Sequence, residues 1–168
     1  MSFNSASSIN TFNNCPRKYF FKYKQRLPEK PNINTLGGSI VHQAIQEKVK
    51  NPDQEITEIF EKIWETQASE LNKLGLTKAA LNEQYFAYRQ MALNWEKDFD
   101  PKVKIQCEKK LFSGRFQLIG FIDEIIEKAG KIILMENKTS KFERVLPEHK
   151  LQLAIYVLLF KEAYGRVP

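Results

Sequence analysis

The tightest constraint on this chain is the stretch from Gly120 to Lys138. It reads Gly120-Phe121-Ile122-Asp123-Glu124-Ile125-Ile126, a polar turn from Glu127 to Lys131, then Ile132-Ile133-Leu134-Met135-Glu136-Asn137-Lys138. Two β-branched apolar runs separated by a short Gly-containing loop predict a β-hairpin. Side chains alternate along a strand, so Ile132, Leu134, Glu136 and Lys138 share one face of the second strand. On the first strand Asp123 shares a face with Phe121 and Ile125. An acid and a lysine therefore end a face that is otherwise apolar, with Asp123 brought beside them by strand pairing. Burying such charges is costly unless they pair or hold a cation. Two carboxylates and a lysine converging at a sheet edge suit a divalent-metal site that activates water.

The flanking sequence builds outward from that hairpin. Val103, Ile105 and Cys107 alternate with polar residues, which predicts a half-buried strand, and Ser113-Gly114-Arg115 predicts the turn into the Asp123 strand. Glu108 falls on the opposite face and reads as a solvated glutamate beside Lys109 and Lys110, the alternative being a further acid for the site. Pro147-Glu148 opens a last helix, with Leu151, Ala154, Ile155, Leu158 and Leu159 expected to bury it against the sheet. Gln152 and Tyr156, four residues apart, are neighbours on one face of that helix and suited to holding a phosphate or a water.

Upstream, Ser5 or Ser7 caps a short helix through Phe12, and Pro16 suits the first turn of a second one. The run Arg17-Lys18-Tyr19-Phe20-Phe21-Lys22-Tyr23-Lys24 interleaves cations with aromatics. It reads either as a stacking and phosphate-contacting surface for single strands, through Arg17, Lys18 and Lys22, or as an amphipathic helix. Phe20 and Phe21 are expected to pack. Residues 28–36 read as a loop, and Gly37-Gly38 as a close backbone approach before a helix from Ser39 to about Lys50. His42 adjoins the apolar stripe of that helix, a position where a histidine is ordinarily a satisfied boundary residue. The stripes over 56–64 and 81–95 predict two further packing helices.

Length and charge set outer limits. A chain of 168 residues fits one domain with a real core. No apolar run reaches a membrane span and the first residues lack a signal-peptide layout, so a cytoplasmic protein is expected. A net charge of +6 is compatible with a polyanionic partner. Cys15 and Cys107 are too few and too far apart for a disulfide framework or a structural zinc site.

Five segments then fall into a series: Cys15-Pro16-Arg17-Lys18-Tyr19, Gly38-Ser39-Ile40-Val41-His42, Gly120-Phe121-Ile122-Asp123, Glu136-Asn137-Lys138-Thr139 and Gln152-Leu153-Ala154-Ile155-Tyr156. In this order they resemble the motifs of the PD-(D/E)xK nuclease superfamily and, within it, the RecB-like branch. Small stand-alone members, such as CRISPR-associated RecB-type exonucleases and phage or archaeal relatives, are the most similar. The resemblance spans nearly the whole chain. It implies a mixed α/β fold with a restriction-endonuclease-like core, in which a central mixed β-sheet is flanked by helices and preceded by an N-terminal helical part. A single domain over 1–168 is expected, mainly helical to 99 and with the sheet core from 100.

The same resemblance implies a magnesium- or manganese-dependent deoxyribonuclease, an exonuclease acting on DNA ends or single strands in recombination, repair or CRISPR-type processing. Asp123, Glu136, the main-chain carbonyl of Asn137 and His42 would be the metal ligands, with imidazole favouring manganese or a transition metal. Lys138 would orient the attacking water and help to deprotonate it, and Gln152 and Tyr156 would position DNA or the lysine. Many relatives hold an iron–sulfur cluster through a cysteine at the place of Cys15 and three more near the C-terminus, and the absence of those three leads us to expect no cluster. The end, Tyr164-Gly165-Arg166-Val167-Pro168, reads as a chain about to enter another strand, which favours truncation. The other reading is a non-cleaving nucleic-acid-binding or adaptor module on the same scaffold, working with a helicase or integrase partner.

Overall fold

The computed structural model describes residues 3–139 and 144–168; Ser140 and Lys141 of the polar exit loop expected after Lys138 lie outside the described residues. The chain divides into two compact units. A sheet unit takes the described residues of Met1–Glu29, Lys104–Glu136 and Phe142–Pro168, and a helical unit takes those of Lys30–Val103 and Asn137–Lys141. Residues 3–29 therefore belong to the sheet unit.

In the sheet unit the central strand is β3 (Leu118–Lys128). One edge carries β2 (Lys104–Ser113) antiparallel along its length. The other takes β1 (Asn4–Ser5) in parallel at Leu118–Ile119 and β4 (Lys131–Met135) antiparallel from Glu124 onward, so the sheet is mixed. β3 and β4 are joined through Ala129 and Gly130, both at positive φ (51° and 75°), the signature of a two-residue type I′ hairpin. Helix α1 (Ala6–Asn14) starts at Ser5 with a reciprocal capping box to Ser8. It is followed by α2 (Pro16–Tyr19) and a π-helical turn over Phe20–Lys24. The last helix, α7 (Pro147–Tyr164), lays Ile155, Leu159 and Phe160 into one core with Leu111, Ile122 and Ile125. Gly120 is where α7 comes closest, since a Cβ there would stand 2.8 Å from Leu159 Cδ1 and 3.0 Å from the Tyr156 ring.

The helical unit contains α3 (Ile33–Lys50), α4 (Ile56–Thr66), α5 (Ala68–Asn72) and α6 (Lys78–Glu96). Its core joins Ile40, Val41, Ala44 and Ile45 of α3 to Ile56, Ile59 and Phe60 of α4 and Tyr88 and Ala92 of α6. The expected loop over 28–36 and helix start at Ser39 are corrected. α3 begins at Ile33, capped by Asn32, whose side-chain oxygen accepts from the Thr35 amide at 2.9 Å. That cap sustains the extra turns although each helical glycine costs about 1 kcal/mol. Gly37 and Gly38 lie inside the helix because the Tyr88 ring occupies the space of a side chain at Gly37, and Thr139 Oγ1 stands 3.0 Å from a Cβ at Gly38. Among the described residues no helix is long and apolar enough to cross a membrane.

Candidate active site

The hairpin register decides which acids meet. Ile125 pairs with Leu134 and Glu124 with Met135, where the pairing ends, so Asp123 and Glu136 are the next residues on the two chains. On the other edge, Cys107–Glu124 and Lys109–Ile122 bracket Glu108 and Asp123. Glu108 carries φ 50°, a left-handed conformation that costs a non-glycine residue about 1–3 kcal/mol. Its carboxylate oxygen lies within 4.8 Å of that of Asp123. The solvated reading of Glu108 thus gives way to an acid held beside Asp123 at a cost in backbone energy.

Ile122, Asp123, Glu124 and Ile125 are all buried in succession, and Asp123 is only 8% exposed, whereas Phe121, two residues earlier, is 49% exposed.

From α7 come the two residues that the helical spacing set on one face. Gln152 Nε2 donates to Glu136 Oε1 at 2.7 Å and to the Tyr156 hydroxyl at 2.7 Å. The second oxygen of Glu136 is buried. Burial pushes the Tyr156 phenol well above its ordinary range, the Glu136 charge raises it further, the Gln152 hydrogen bond lowers it, and Asp123 raises it again. Both acids therefore act on one buried phenol, which stays protonated at neutral pH.

β4 ends at Met135, so Glu136 and Lys138 stand just beyond the strand and not on it, a correction to the expected run of strand residues. Past the strand, residues 137–139 belong to the helical unit, where Thr139 rests against Gly38 of α3. Asn137 is half-buried and Lys138 is exposed. His42 is half-buried on α3, one turn after Gly38 and on the same helical face.

Arg17 and Lys18 are exposed, and Lys22 pairs with Glu29 at 2.6 Å, holding that carboxyl below its usual range. Phe20 and Phe21, expected to pack, are 49% and 37% exposed. The wider π turn, closed by the Gln25 amide on the Phe20 carbonyl at 2.9 Å, shifts the side-chain phase and breaks an amphipathic stripe. Tyr19 and Tyr23 are the partly buried rings instead, with centroids 5.3 Å apart.

Asp123 and Glu108, whose carboxylate oxygens lie within 4.8 Å of one another, offer hard oxygen donors, the kind that magnesium and manganese take. Like charges gathered in a largely buried site oppose one another until a cation joins them, so these residues fit a divalent ion. A mixed sheet whose central strand carries the buried acids Asp123 and Glu124, packed by a helix whose Gln152 holds Glu136, is consistent with a restriction-endonuclease-like α/β fold. The chain belongs to the PD-(D/E)XK nuclease superfamily, whose family model matches residues 4–168. No curated protein and no solved structure matches it. Membership places it in a superfamily of nucleases that use divalent metals.

Proposed function

We propose that the chain is a magnesium- or manganese-dependent deoxyribonuclease of the RecB-like branch. It hydrolyses phosphodiesters from DNA ends or single strands in the cytoplasm, in recombination, repair or CRISPR-type processing, alone or with a helicase- or integrase-type partner. The observation that carries this reading is the gathering of acids, with the Glu108 carboxylate within 4.8 Å of that of Asp123 and Gln152 holding Glu136.

Asp123, Glu136 and Glu108 would hold the cation with their carboxylates, the Asn137 main-chain carbonyl and His42 being added on the strength of the family pattern. Such an ion lowers the pKa of water and offsets charge on a phosphate. The remaining roles belong to the chain. Gln152 fixes the rotamer of Glu136 through its 2.7 Å bond. Tyr156, kept protonated by its surroundings, is a hydrogen-bond donor and not a base. Lys138 directly follows the second acid motif and carries an amine suited to orienting the attacking water and taking its proton. Arg17, Lys18 and Lys22 contact phosphates.

The test is cleavage of labelled single-stranded DNA, duplex DNA and RNA, with and without chelator. We expect metal-dependent DNA degradation that Asp123→Ala and Lys138→Ala abolish. Binding without turnover, unchanged by either substitution, would identify a non-cleaving module instead.

A further inference from the structure

We propose that the outer face of the β2–β3 hairpin is a stacking platform for single-stranded nucleic acid, centred on Phe112, Phe121 and Lys110. The inference rests on the nuclease reading only in naming the substrate class. Phe112 is 62% exposed and Phe121 49%, with Phe116 at 42% and Phe3 at 39% around them. Lys110 pairs with Phe121 and Phe112 with Ile119, so both central rings lie on one face; Leu111 and Gly120, paired with each other, lie on the face that meets α7. Phe112 and Phe121 are diagonal neighbours, about 7–8 Å apart along the sheet. Phe3 meets Phe112 edge-on, with centroids 6.0 Å apart.

The charge around these rings selects the occupant. Lys110 Nζ sits 5.8 Å from the Phe121 centroid and Arg115 Cζ 5.0 Å from that of Phe116. Lys110 on this face and Arg115 in the turn are the cations near the rings, and between Glu108 and Asp123, which lie at the candidate active site, the hairpin contains no acidic residue. Exposed rings alone would mark any sticky surface. A dry protein interface here would have to bury the ammonium of Lys110 at its centre, which is costly without a paired acid. A single strand avoids that cost, because its bases lie on the rings while its phosphates meet the cations. A duplex keeps its bases stacked inside and offers the rings nothing.

The test is binding of labelled oligothymidylate, oligouridylate and a hairpin duplex, in chelator so that no cleavage is involved. Phe112→Ala combined with Phe121→Ala should weaken single-strand binding about tenfold or more and leave duplex binding nearly unchanged. Lys110→Gln should reduce the slope of affinity against salt by about one counterion. Phe112→Trp should keep the affinity and add a fluorescence that the oligonucleotide quenches, which covers the case in which the double variant misfolds. Unchanged single-strand affinity in a folded double variant, or an equal loss on duplex, overturns the proposal. So does a wild-type dimer that the double variant dissolves, which would make the face a self-association surface. Preference between the DNA and RNA arms names the polymer. Because binding is read without metal, an inactive enzyme that still binds through these rings counts against the nuclease reading alone.

Discussion

Lys48 in the helical unit and Asp123 in the sheet unit are both charged and both buried, yet their surroundings differ in kind. Lys48 meets Glu96 at 2.7 Å, donates to the Gln54 carbonyl at 2.6 Å and lies 5.9 Å from the Phe99 ring centroid. Opposite charges close on one another there, and the result is scaffolding. Asp123 has the Glu108 carboxylate within 4.8 Å of its own, and Tyr156 feels the charge of both Asp123 and Glu136. Like charges gathered at one end of a hairpin do little for stability. The contrast teaches that burial of a charge is a poor guide to function until the sign of its neighbours is known.

The comparison breaks most visibly at Asp123. Asp123→Ala should lower metal-dependent cleavage about a thousandfold, roughly 4 kcal/mol of barrier. Manganese should raise the melting temperature of the wild type and not of this variant. If the variant cleaves at the wild-type rate, the acid cluster is scaffolding too. Lys48→Met should cost about 3 kcal/mol in urea unfolding, because Glu96 is left without its cation, and adding Glu96→Leu should recover most of the loss. No recovery would mean that the pair does more than balance charge.

Gly120→Ala should cost about 2 kcal/mol by pressing α7 off the strand, and should lower turnover through the displaced Tyr156. Glu108→Asn sharpens the contrast from the other side. Asparagine tolerates the left-handed backbone, so stability should hold or rise while manganese affinity, read by calorimetry, falls about tenfold. Tyr156→Phe should have the smallest effect, about fivefold in turnover, near 1 kcal/mol for one hydrogen bond. Its clearer sign is at alkaline pH. Above the ordinary tyrosine value of 10.0 the unfolded phenol loses its proton while Tyr156 keeps its own, so stability falls as pH rises. Melting curves of Tyr156→Phe should show a shallower fall.

Much of this was legible in the chain because two periodicities carry it. The apolar runs around Gly130 announce the hairpin, whose pairing runs up to Glu124 and Met135, the neighbours of Asp123 and Glu136. The four-residue spacing puts Gln152 and Tyr156 on one face, where Gln152 reaches both Glu136 and the Tyr156 hydroxyl. What stayed hidden depends on backbone angles that composition does not encode. The positive φ of Glu108 turned an apparently solvated residue toward Asp123. A π turn left Phe20 and Phe21 exposed where a regular helix would have packed them. The close approach expected at Gly37-Gly38 lies inside the helix and not before it, and what it approaches, the ring of Tyr88, is 51 positions away from Gly37. Interleaved cations and aromatics at 17–24 left a surface and an amphipathic helix both open, without saying which rings would face out.

The missing side chain at Gly120 has a further implication. Its volume is already taken by a methyl of Leu159 and the rim of Tyr156, so positions 120 and 159 draw on one shared space. Lineages in which residue 120 has grown to alanine should therefore carry a smaller residue at 159, since shrinking Tyr156 would disturb the chemistry and shrinking Leu159 would not. Such paired exchange, visible across relatives without any structure, would show that the strand and the helix evolve as one surface.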